Sequence, residues 1–315
     1  MPPVGRAAVW TVAGAALLAA AVLTVLGVGD SPDALPNWQA FVLGIVQGAT
    51  ELLPISSSGH LILVPWLGDW DYLKEHESFN QTFDVALHLG TLVAVVGYFW
   101  RDIVRLVAAW VGTLRTRRLE TADERIAWFV FVATIPAAVV GLLGEDLIAE
   151  HLGEPWQIAL ALAFFAGLLW LADRQPESRH MGDLGLKAAL GVGVAQSLAL
   201  MPGVSRSGIT ITAGRFLRLD RDSAARFSFL LLVPTVLGAV VLKGVTDVLL
   251  GDLPPGSAGP FLVGMLAAAG SGLLAIAGLL GYVRRHDYSI FVWYRLVAAA
   301  IIVLLIATGA RSTGF

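Results

Sequence analysis

The sequence contains no cysteine among its 315 residues. This absence excludes disulfide bonds, thiolate catalysis and metal centres with cysteine ligands. Charged residues are also scarce, at 14% of the chain, whereas proteins on average carry about 25%. With 57% hydrophobic residues and a mean hydropathy of +0.74, the chain has too few polar side chains to cover a soluble surface. We therefore expect an all-α, polytopic integral membrane protein.

Motifs for several common cofactors are missing as well. The sequence has no P-loop, no glycine fingerprint for dinucleotides and no HExxH zinc pair. The formal net charge of -3 says little by itself, because the distribution of the charges matters more than their sum. We expect the lipid bilayer to be a partner and expect no nucleic-acid partner.

Seven apolar runs are long enough to cross a bilayer as helices, because about 20 residues span its hydrocarbon core. They lie near residues 7–29, 83–100, 126–144, 156–172, 226–245, 261–281 and 290–309. The first run exceeds the apolar core of a signal peptide, and we interpret it as a retained transmembrane helix, or signal anchor, in an N-terminal extension, residues 1–35, with a signal peptide as the alternative. Residues 36–315 are expected to form a single membrane-embedded domain.

Basic and acidic residues alternate between successive loops. Basic residues lie at 101–125, 174–187, 215–226 and 284–285, and acidic residues predominate at 30–33, 69–77, 145–154 and 247–252. Loops rich in lysine and arginine stay on the cytoplasmic side. The arginine loops are therefore predicted to be cytoplasmic and the acidic loops to lie outside.

Two polar strings interrupt the apolar sequence. The first, QGATELLPISSSGH, runs from Gln47 to His60, and the second, PGVSRSGIT, runs from Pro202 to Thr210. A charge at membrane depth is costly unless it lines an enclosed or watered cavity. The two strings are therefore the candidate functional site.

Each string lies in a segment that is predicted to return to the membrane face from which it entered. Residues 37–81 begin and end outside, residues 183–215 begin and end inside, and proline and glycine break both segments. Two such re-entrant helix-loop-helix segments would meet near the midplane, which is typical of an inverted-topology repeat. The predicted halves are residues 36–172 and 184–309.

A weak internal similarity supports the repeat. A shift of 149 residues superimposes four pairs: Gln47 on Gln196, Ser56 on Ser205, Ser58 on Ser207 and Gly59 on Gly208. Serine and glycine are common, so this match alone could arise by chance, and it gains weight from the topology.

The first string offers a carboxylate, hydroxyls and a histidine. Gln47 and Glu51 are four residues apart and share one face of a helix that should stop near Pro54. Three hydroxyls follow in a turn: Ser56, Ser57 and Ser58. A serine becomes a nucleophile when a base takes its proton, and His60 or Glu51 could supply that base. The alternative is that the serines only cap the next helix.

The second string predicts an anion site. Arg206 lies between Ser205 and Ser207, flanking glycines free the backbone, and Thr210 follows. A helix that starts near Ser207 would direct its positive end to the same place, and a guanidinium matches the oxygens of a phosphate. The alternative is that Arg206 pairs with Glu51 only to hold the two segments together.

Three other polar residues lie at or near membrane depth. Asp84 and His88 share a helical face and either border the cavity or contact solvent or another helix. Arg295 is expected to be an anchor at the cytoplasmic interface, with a side chain that extends to water.

The two polar strings resemble the signature motifs of the undecaprenyl-diphosphate phosphatase family. Residues 83–90, 227–234 and 294–300 resemble that family too, and the resemblance extends from about residue 36 to the C-terminus. It implies hydrolysis of a C55 polyprenyl diphosphate to the monophosphate and inorganic phosphate, at the outer face of the bacterial inner membrane. This reaction recycles the lipid carrier of cell-wall synthesis.

The resemblance and the residues together give a set of candidate roles. The catalytic candidates are Glu51, Ser57, His60 and Arg206, and the substrate-binding candidates are Gln47, Ser56, Ser58, Ser205, Ser207 and Thr210. A divalent cation, Mg2+ or Ca2+, is implied, with Glu51 as a ligand. Gln47 stands where many members carry a second glutamate, which leaves Glu51 as the only carboxylate in the motif.

Several alternatives stay open at this point. Ser57 is our expected nucleophile, but direct attack by water is equally compatible with the residues. A lipid transporter could use the same inverted-repeat cavity, and a homodimer is left open as the assembly. An acid-phosphatase-like site is disfavoured, because it needs a histidine after Ser205-Arg206, and the next one is His286 in a predicted cytoplasmic loop.

Overall fold

The structure is a computed structural model that describes residues 6–29, 31, 34–243 and 256–314. In this part of the chain, regular structure is helical apart from one isolated β-bridge between Arg179 and Leu219. The α-helices are α1 (Arg6–Val25), α2 (Asn37–Leu52), α3 (Ser57–Gly68), α4 (Asp71–Glu75), α5 (Glu77–Thr116), α6 (Ala122–His151), α7 (Pro155–Asp173), α8 (Leu186–Ser197), α9 (Arg206–Phe216), α10 (Arg221–Lys243), α11 (Ala258–Val283) and α12 (Ser289–Ala307). Short 3-10 turns occupy Met181–Asp183 and Leu198–Leu200.

Seven of the described helices are long and apolar enough to cross a membrane: α1, α5, α6, α7, α10, α11 and α12. The predicted all-α polytopic membrane protein is thus confirmed. The predicted acidic positions 30, 33 and 247–252 lie outside the described residues.

Two of the spanning helices are much longer than their apolar runs predict. α5 has 40 residues and continues through a local break at Phe99 into the predicted arginine loop, and α6 has 30 residues. Hydropathy marks only the part of a helix that suits the hydrocarbon core, whereas the backbone hydrogen bonds continue into the polar region. The predicted loop at residues 101–125 is therefore largely helical.

Besides α4, which has 5 residues, four of the described helices are too short to cross a bilayer alone, which takes about 20 residues. α2 has 16 residues, α3 and α8 have 12 each, and α9 has 11. α2 ends at Leu52, and Leu53 is extended (φ -81°, ψ 146°), as expected for the residue before a proline. The two predicted breaks, near Pro54 and Pro202, are both present.

Helix pairing follows the pattern that two related halves predict. α2 packs along α11 and α8 packs along α6, while α5 pairs with α10 and α7 pairs with α12. Suppose that α2, α3, α5, α6 and α7 correspond, in that order, to α8, α9, α10, α11 and α12. The pair α2/α11 then corresponds to the pair α8/α6, and the pairs α5/α10 and α7/α12 each correspond to themselves. α1 lies outside this correspondence and packs along α11.

Small residues bring α2 and α11 into close contact and so fix the position of the first polar string. A methyl group on Gly44 would lie 2.4 Å from the carbonyl oxygen of Gly264, and one on Gly48 would lie 2.0 Å from Oγ of Ser271. Only glycine permits this approach at both positions. Because Gln47 and Glu51 lie on the same helix, their positions and the rotation of that helix depend on this contact.

We predict that Gly48→Ala destabilises the protein, because its methyl group overlaps Ser271 and the carbonyl of Ala268. Overpacking of this kind costs about 1–3 kcal/mol. Gly97→Ala is the matched control: Gly97 is exposed on α5 and nothing lies within 4 Å of the added methyl. Unfolding in detergent, followed by tryptophan fluorescence, should show a lower stability for the first variant only. Equal stability of the two would contradict the packing argument.

Candidate active site

Three of the four predicted catalytic residues meet at the end of α2. Glu51 lies in the last turn of that helix and is 5% exposed. The hydroxyl of Ser57 donates to Oε2 of Glu51. Nη2 of Arg206, at the first position of α9, donates to Oε1 of Glu51 over 2.8 Å. The carboxylate therefore contacts both a hydroxyl and a guanidinium, although Arg206 is 155 residues away from Glu51 in the sequence.

A shared backbone conformation builds the two loops that carry these groups. Ser56 has φ 78° and Ser205 has φ 75°, a region that residues other than glycine rarely adopt. Each Oγ accepts the backbone N–H three residues ahead, from Gly59 at 3.4 Å and from Gly208 at 3.0 Å. Both serines therefore cap a helix. The N-termini of α3 and α9, which favour anions, lie at the two loop tips.

The loops also bond directly to each other. The N–H of Gly203 donates to Oγ of Ser56 over 3.1 Å, and Oγ of Ser207 donates to the carbonyl of Leu53 over 2.9 Å. Oγ of Ser205 lies 3.2 Å from Oγ of Ser207. These hydroxyls hold the loops together, and substrate binding by Ser56, Ser205 and Ser207 stays a prediction.

Arg206 is oriented by α10. Its Nη1 donates to the carbonyl of Ser228 over 2.6 Å, while Nη2 reaches Glu51. Oγ1 of Thr210 lies 2.8 Å from Oγ of Ser228 and 2.8 Å from the carbonyl of Arg206. Ser228 lies in the family-like stretch 227–234, but the sequence alone does not indicate a role for it, because nothing in its spacing points to Arg206.

His60 is not part of this cluster. Its Nδ1 contacts the carbonyl of Ser56 at 2.6 Å, and its Nε2 contacts the hydroxyl of Tyr294 at 2.7 Å. The ring stacks on Tyr294 of α12, so both ring nitrogens are used away from Ser57 and Glu51. The structure does not bring His60 into contact with Ser57 or Glu51, and its catalytic role stays a prediction.

A different histidine lies against the carboxylate. Nε2 of His88, on α5, lies 3.4 Å from Oε2 of Glu51. Nδ1 of the same ring contacts the carbonyl of Asp84 at 2.7 Å. The sequence placed Asp84 and His88 on one helical face near the cavity, but it could not show that His88 reaches Glu51.

The two remaining candidates flank the cluster. Gln47 lies one turn before Glu51, and its Nε2 is 3.5 Å from Oε2 of that residue. Its own Oε1 is buried and has no partner in the described part of the chain. Ser58 is half-buried at the start of α3 and stays a predicted substrate-binding residue.

The prediction for Arg295 is wrong. The side chain is fully buried and donates to backbone carbonyls instead of extending to the interface. It reaches Pro54 in the first loop, at 3.3 Å, and Gly203 and Val204 in the second, at 3.0 and 3.1 Å. Further carbonyl contacts come from α7. Broken helices leave carbonyls without helical donors, and Arg295 supplies those donors.

The donor atoms at this site fit a divalent cation that the substrate helps to bind. The carboxylate of Glu51, the unpartnered amide oxygen of Gln47 and the hydroxyl of Ser57 are oxygen ligands of the kind that Mg2+ and Ca2+ prefer. Among the described residues, no group of three or more histidine, aspartate or glutamate side chains could hold an ion. Mg2+ is usually held by one or two carboxylates with substrate phosphates and water, and this donor set agrees.

The fold and the site define a polytopic membrane protein with a buried serine–carboxylate–guanidinium cluster between two capped loops. A family model described as "Bacitracin resistance protein BacA" matches residues 40–301, which is most of the chain. The chain therefore belongs to this family.

Curated relatives are similar in sequence to this chain along almost their whole length. A protein of Thermomicrobium roseum named undecaprenyl-diphosphatase is 46% identical over 283 residues, which cover 87% of this chain and 99% of that protein. The undecaprenyl-diphosphatase of Geobacter sulfurreducens is 49% identical over 261 residues, covering 82% and 94%. The one of Moorella thermoacetica is 47% identical over 267 residues, covering 84% and 96%. The family resemblance predicted from the two polar strings is confirmed.

We predict that Arg295→Met lowers the midpoint of thermal unfolding, because it leaves carbonyls of both loops without donors. Each buried carbonyl left unpaired costs about 1–3 kcal/mol. Arg174→Met is the control, since Arg174 is exposed and stacks on Trp170, 3.3 Å from the ring centroid. Thermal unfolding in detergent should separate the two variants. An equal, small effect would mean that Arg295 does not hold the loops.

Proposed function

We propose that this chain hydrolyses undecaprenyl diphosphate to undecaprenyl phosphate and inorganic phosphate. The names of the relatives support this substrate. The observation that carries the proposal is the contact of Glu51 with both Ser57 and Arg206. It joins a potential nucleophile, its base and a phosphate-binding group at one point.

Ser57 attacks the terminal phosphorus in the proposed reaction, and its proton passes to Oε2 of Glu51. The bond from that phosphorus to the bridging oxygen breaks, and undecaprenyl phosphate leaves with this oxygen. Water then hydrolyses the phosphoserine, which releases inorganic phosphate and restores the serine hydroxyl. The hydrogen bond from Ser57 to Glu51 supports this route, because the hydroxyl proton that must move already points at the base.

Arg206 binds the phosphate oxygens and stabilises their charge as the bond breaks. Its guanidinium is 11% exposed and is oriented by Ser228 and Glu51. The N-termini of α3 and α9 add backbone N–H groups at the same place. A divalent cation, Mg2+ or Ca2+, would be held by Glu51 and Gln47 and would neutralise phosphate charge when bound.

The proposed location is the bacterial inner membrane, with the site open to the outer face. The alternation of basic and acidic loops supports this orientation. In the same frame, the pairs α2/α3 and α8/α9 are re-entrant segments that meet near the midplane, and their shortness supports this placement. The reaction returns the carrier lipid to peptidoglycan synthesis. A homodimer stays a prediction.

We predict that purified protein releases phosphate from a C55 or C15 prenyl diphosphate in detergent, and that EDTA abolishes the release. Arg206→Ala and Glu51→Ala should each lower kcat at least about a hundredfold, because they remove the anion-binding group and the base. Arg118→Ala, at an exposed loop position, is the control and should keep wild-type activity.

Two outcomes would contradict this assignment. Near-wild-type turnover in either site variant would place the chemistry elsewhere. A folded wild-type sample that releases no phosphate with excess Mg2+ or Ca2+, but moves the lipid between leaflets of a vesicle, would identify a transporter.

The serine route makes a separate prediction for Ser57→Ala. Loss of the nucleophile should lower kcat at least about a thousandfold, and acid-quenched wild-type reactions should contain a phosphorylated Ser57 detectable by mass spectrometry. Ser178→Ala, in an exposed loop, is the control. Substantial turnover by Ser57→Ala, with no phosphoserine in the wild type, would favour direct attack by water with Glu51 as the base.

A further inference from the structure

We propose that His88 positions the Glu51 carboxylate for catalysis; this inference rests on the proposed function. The sequence assigned the histidine of the reaction to His60, which lies in the first polar string. The geometry points to a second histidine, on α5, that acts through Glu51 and not on the substrate.

One ring nitrogen of His88 faces an oxygen of the carboxylate, and the other contacts the backbone of α5. Its Nε2 lies 3.4 Å from Oε2 of Glu51, the oxygen that accepts the hydroxyl of Ser57. Its Nδ1 contacts the carbonyl of Asp84, one turn earlier on α5, at 2.7 Å. A carbonyl only accepts, so Nδ1 donates to it and fixes the ring plane, and Nε2 donates to Oε2 when the ring carries both protons. The imidazole is therefore held with Nε2 directed at Glu51.

A carboxylate in this position needs a partner on each side. The terminal torsion of a glutamate is broad and has no strong staggered preference. Arg206 holds Oε1 of Glu51 at 2.8 Å. Once Ser57 gives up its proton, and without His88, the contact with Gln47 at 3.5 Å would be the one other restraint among the described residues that keeps Oε2 from turning towards the guanidinium. Such a rotation would take Oε2 away from Ser57. His88 opposes it from the α5 side, so Oε2 stays on the hydroxyl whose proton it must accept.

His60 cannot take over this role in the observed arrangement. Its two nitrogens contact the carbonyl of Ser56 and the hydroxyl of Tyr294. It therefore lies between the first loop and α12, whereas His88 approaches from α5. The two histidines act on different parts of the site, and variants of each should behave differently.

The side chain of His88 is also accessible. It is 29% exposed, compared with 5% for Glu51. A small molecule that replaces the imidazole can therefore reach the carboxylate from the same side. This access makes chemical rescue a direct test of the contact.

The test compares His88→Leu, His88→Gln and His88→Ala in the phosphate-release assay. Loss of a residue that orients a catalytic ligand costs about ten- to a hundredfold in activity. We expect His88→Leu to lose this much in kcat with little change in KM. We expect His88→Gln to keep most of kcat, because its amide N–H can donate to Oε2. Imidazole added to His88→Ala should restore part of kcat.

Two controls make the result specific. His286→Leu removes an exposed histidine whose Nδ1 also contacts a carbonyl one turn earlier, that of Tyr282 at 3.3 Å, and it should keep wild-type kcat. Glu51→Ala should gain nothing from imidazole, because the carboxylate that imidazole would orient is gone. Thermal unfolding of each variant separates loss of activity from loss of fold.

The outcomes distinguish this inference from the proposed function. An active wild type with a fully active His88→Leu overturns the role of His88 and leaves the phosphatase intact. A folded His88→Gln that is as inactive as His88→Leu, with no rescue of His88→Ala, overturns the positioning role. A wild type without phosphate release overturns the proposed function itself, and the role of His88 with it.

Discussion

Glu51, which is buried, and Arg206, which is 11% exposed, meet as an ion pair although 155 residues separate them in the chain. Removing one partner of a buried pair costs about 3–5 kcal/mol, because the other charge stays buried without compensation. The pair joins the end of α2 to the start of α9, and so it sets where the two loop tips lie relative to each other. Ser57, His88 and Ser228 lie around these two charges.

The two breaks, between α2 and α3 and between α8 and α9, create a second constraint. In a bilayer, every backbone polar group needs a partner from the protein or from trapped water. The loops meet this need from three sources: their own serine hydroxyls, each other's backbone, and the guanidinium of Arg295. Residues that read as substrate ligands in the sequence therefore also hold the backbone. The hydroxyl oxygen of Ser56 accepts from both Gly59 and Gly203, which leaves only its O–H to donate to a substrate.

The sequence predicted where helices span and where they break better than it predicted which side chains contact each other. Apolar runs located the seven spanning helices, and Pro54 and Pro202 located the breaks, because hydropathy and proline act locally. From the sequence, the pairing of Arg206 with Glu51 is only an alternative to an anion site, since it requires two distant segments to meet. His60 and Arg295 show the limit: which way a side chain points around a helix depends on the helices packed against it. His60 contacts the hydroxyl of Tyr294, and Arg295 donates to the loop carbonyls. Neither partner can be predicted from residue spacing.

The shared backbone of the two loops contrasts with the groups that they carry. With the shift of 149 residues, Glu51 corresponds to Leu200 and Ser57 corresponds to Arg206. One half thus carries the carboxylate and the hydroxyl, and the other carries the guanidinium. Two copies of the first half would set carboxylate against carboxylate, and two copies of the second would supply no base. Joining both halves in one polypeptide guarantees one acid and one cation per site, so the covalent link fixes the stoichiometry of the charges that the chemistry needs.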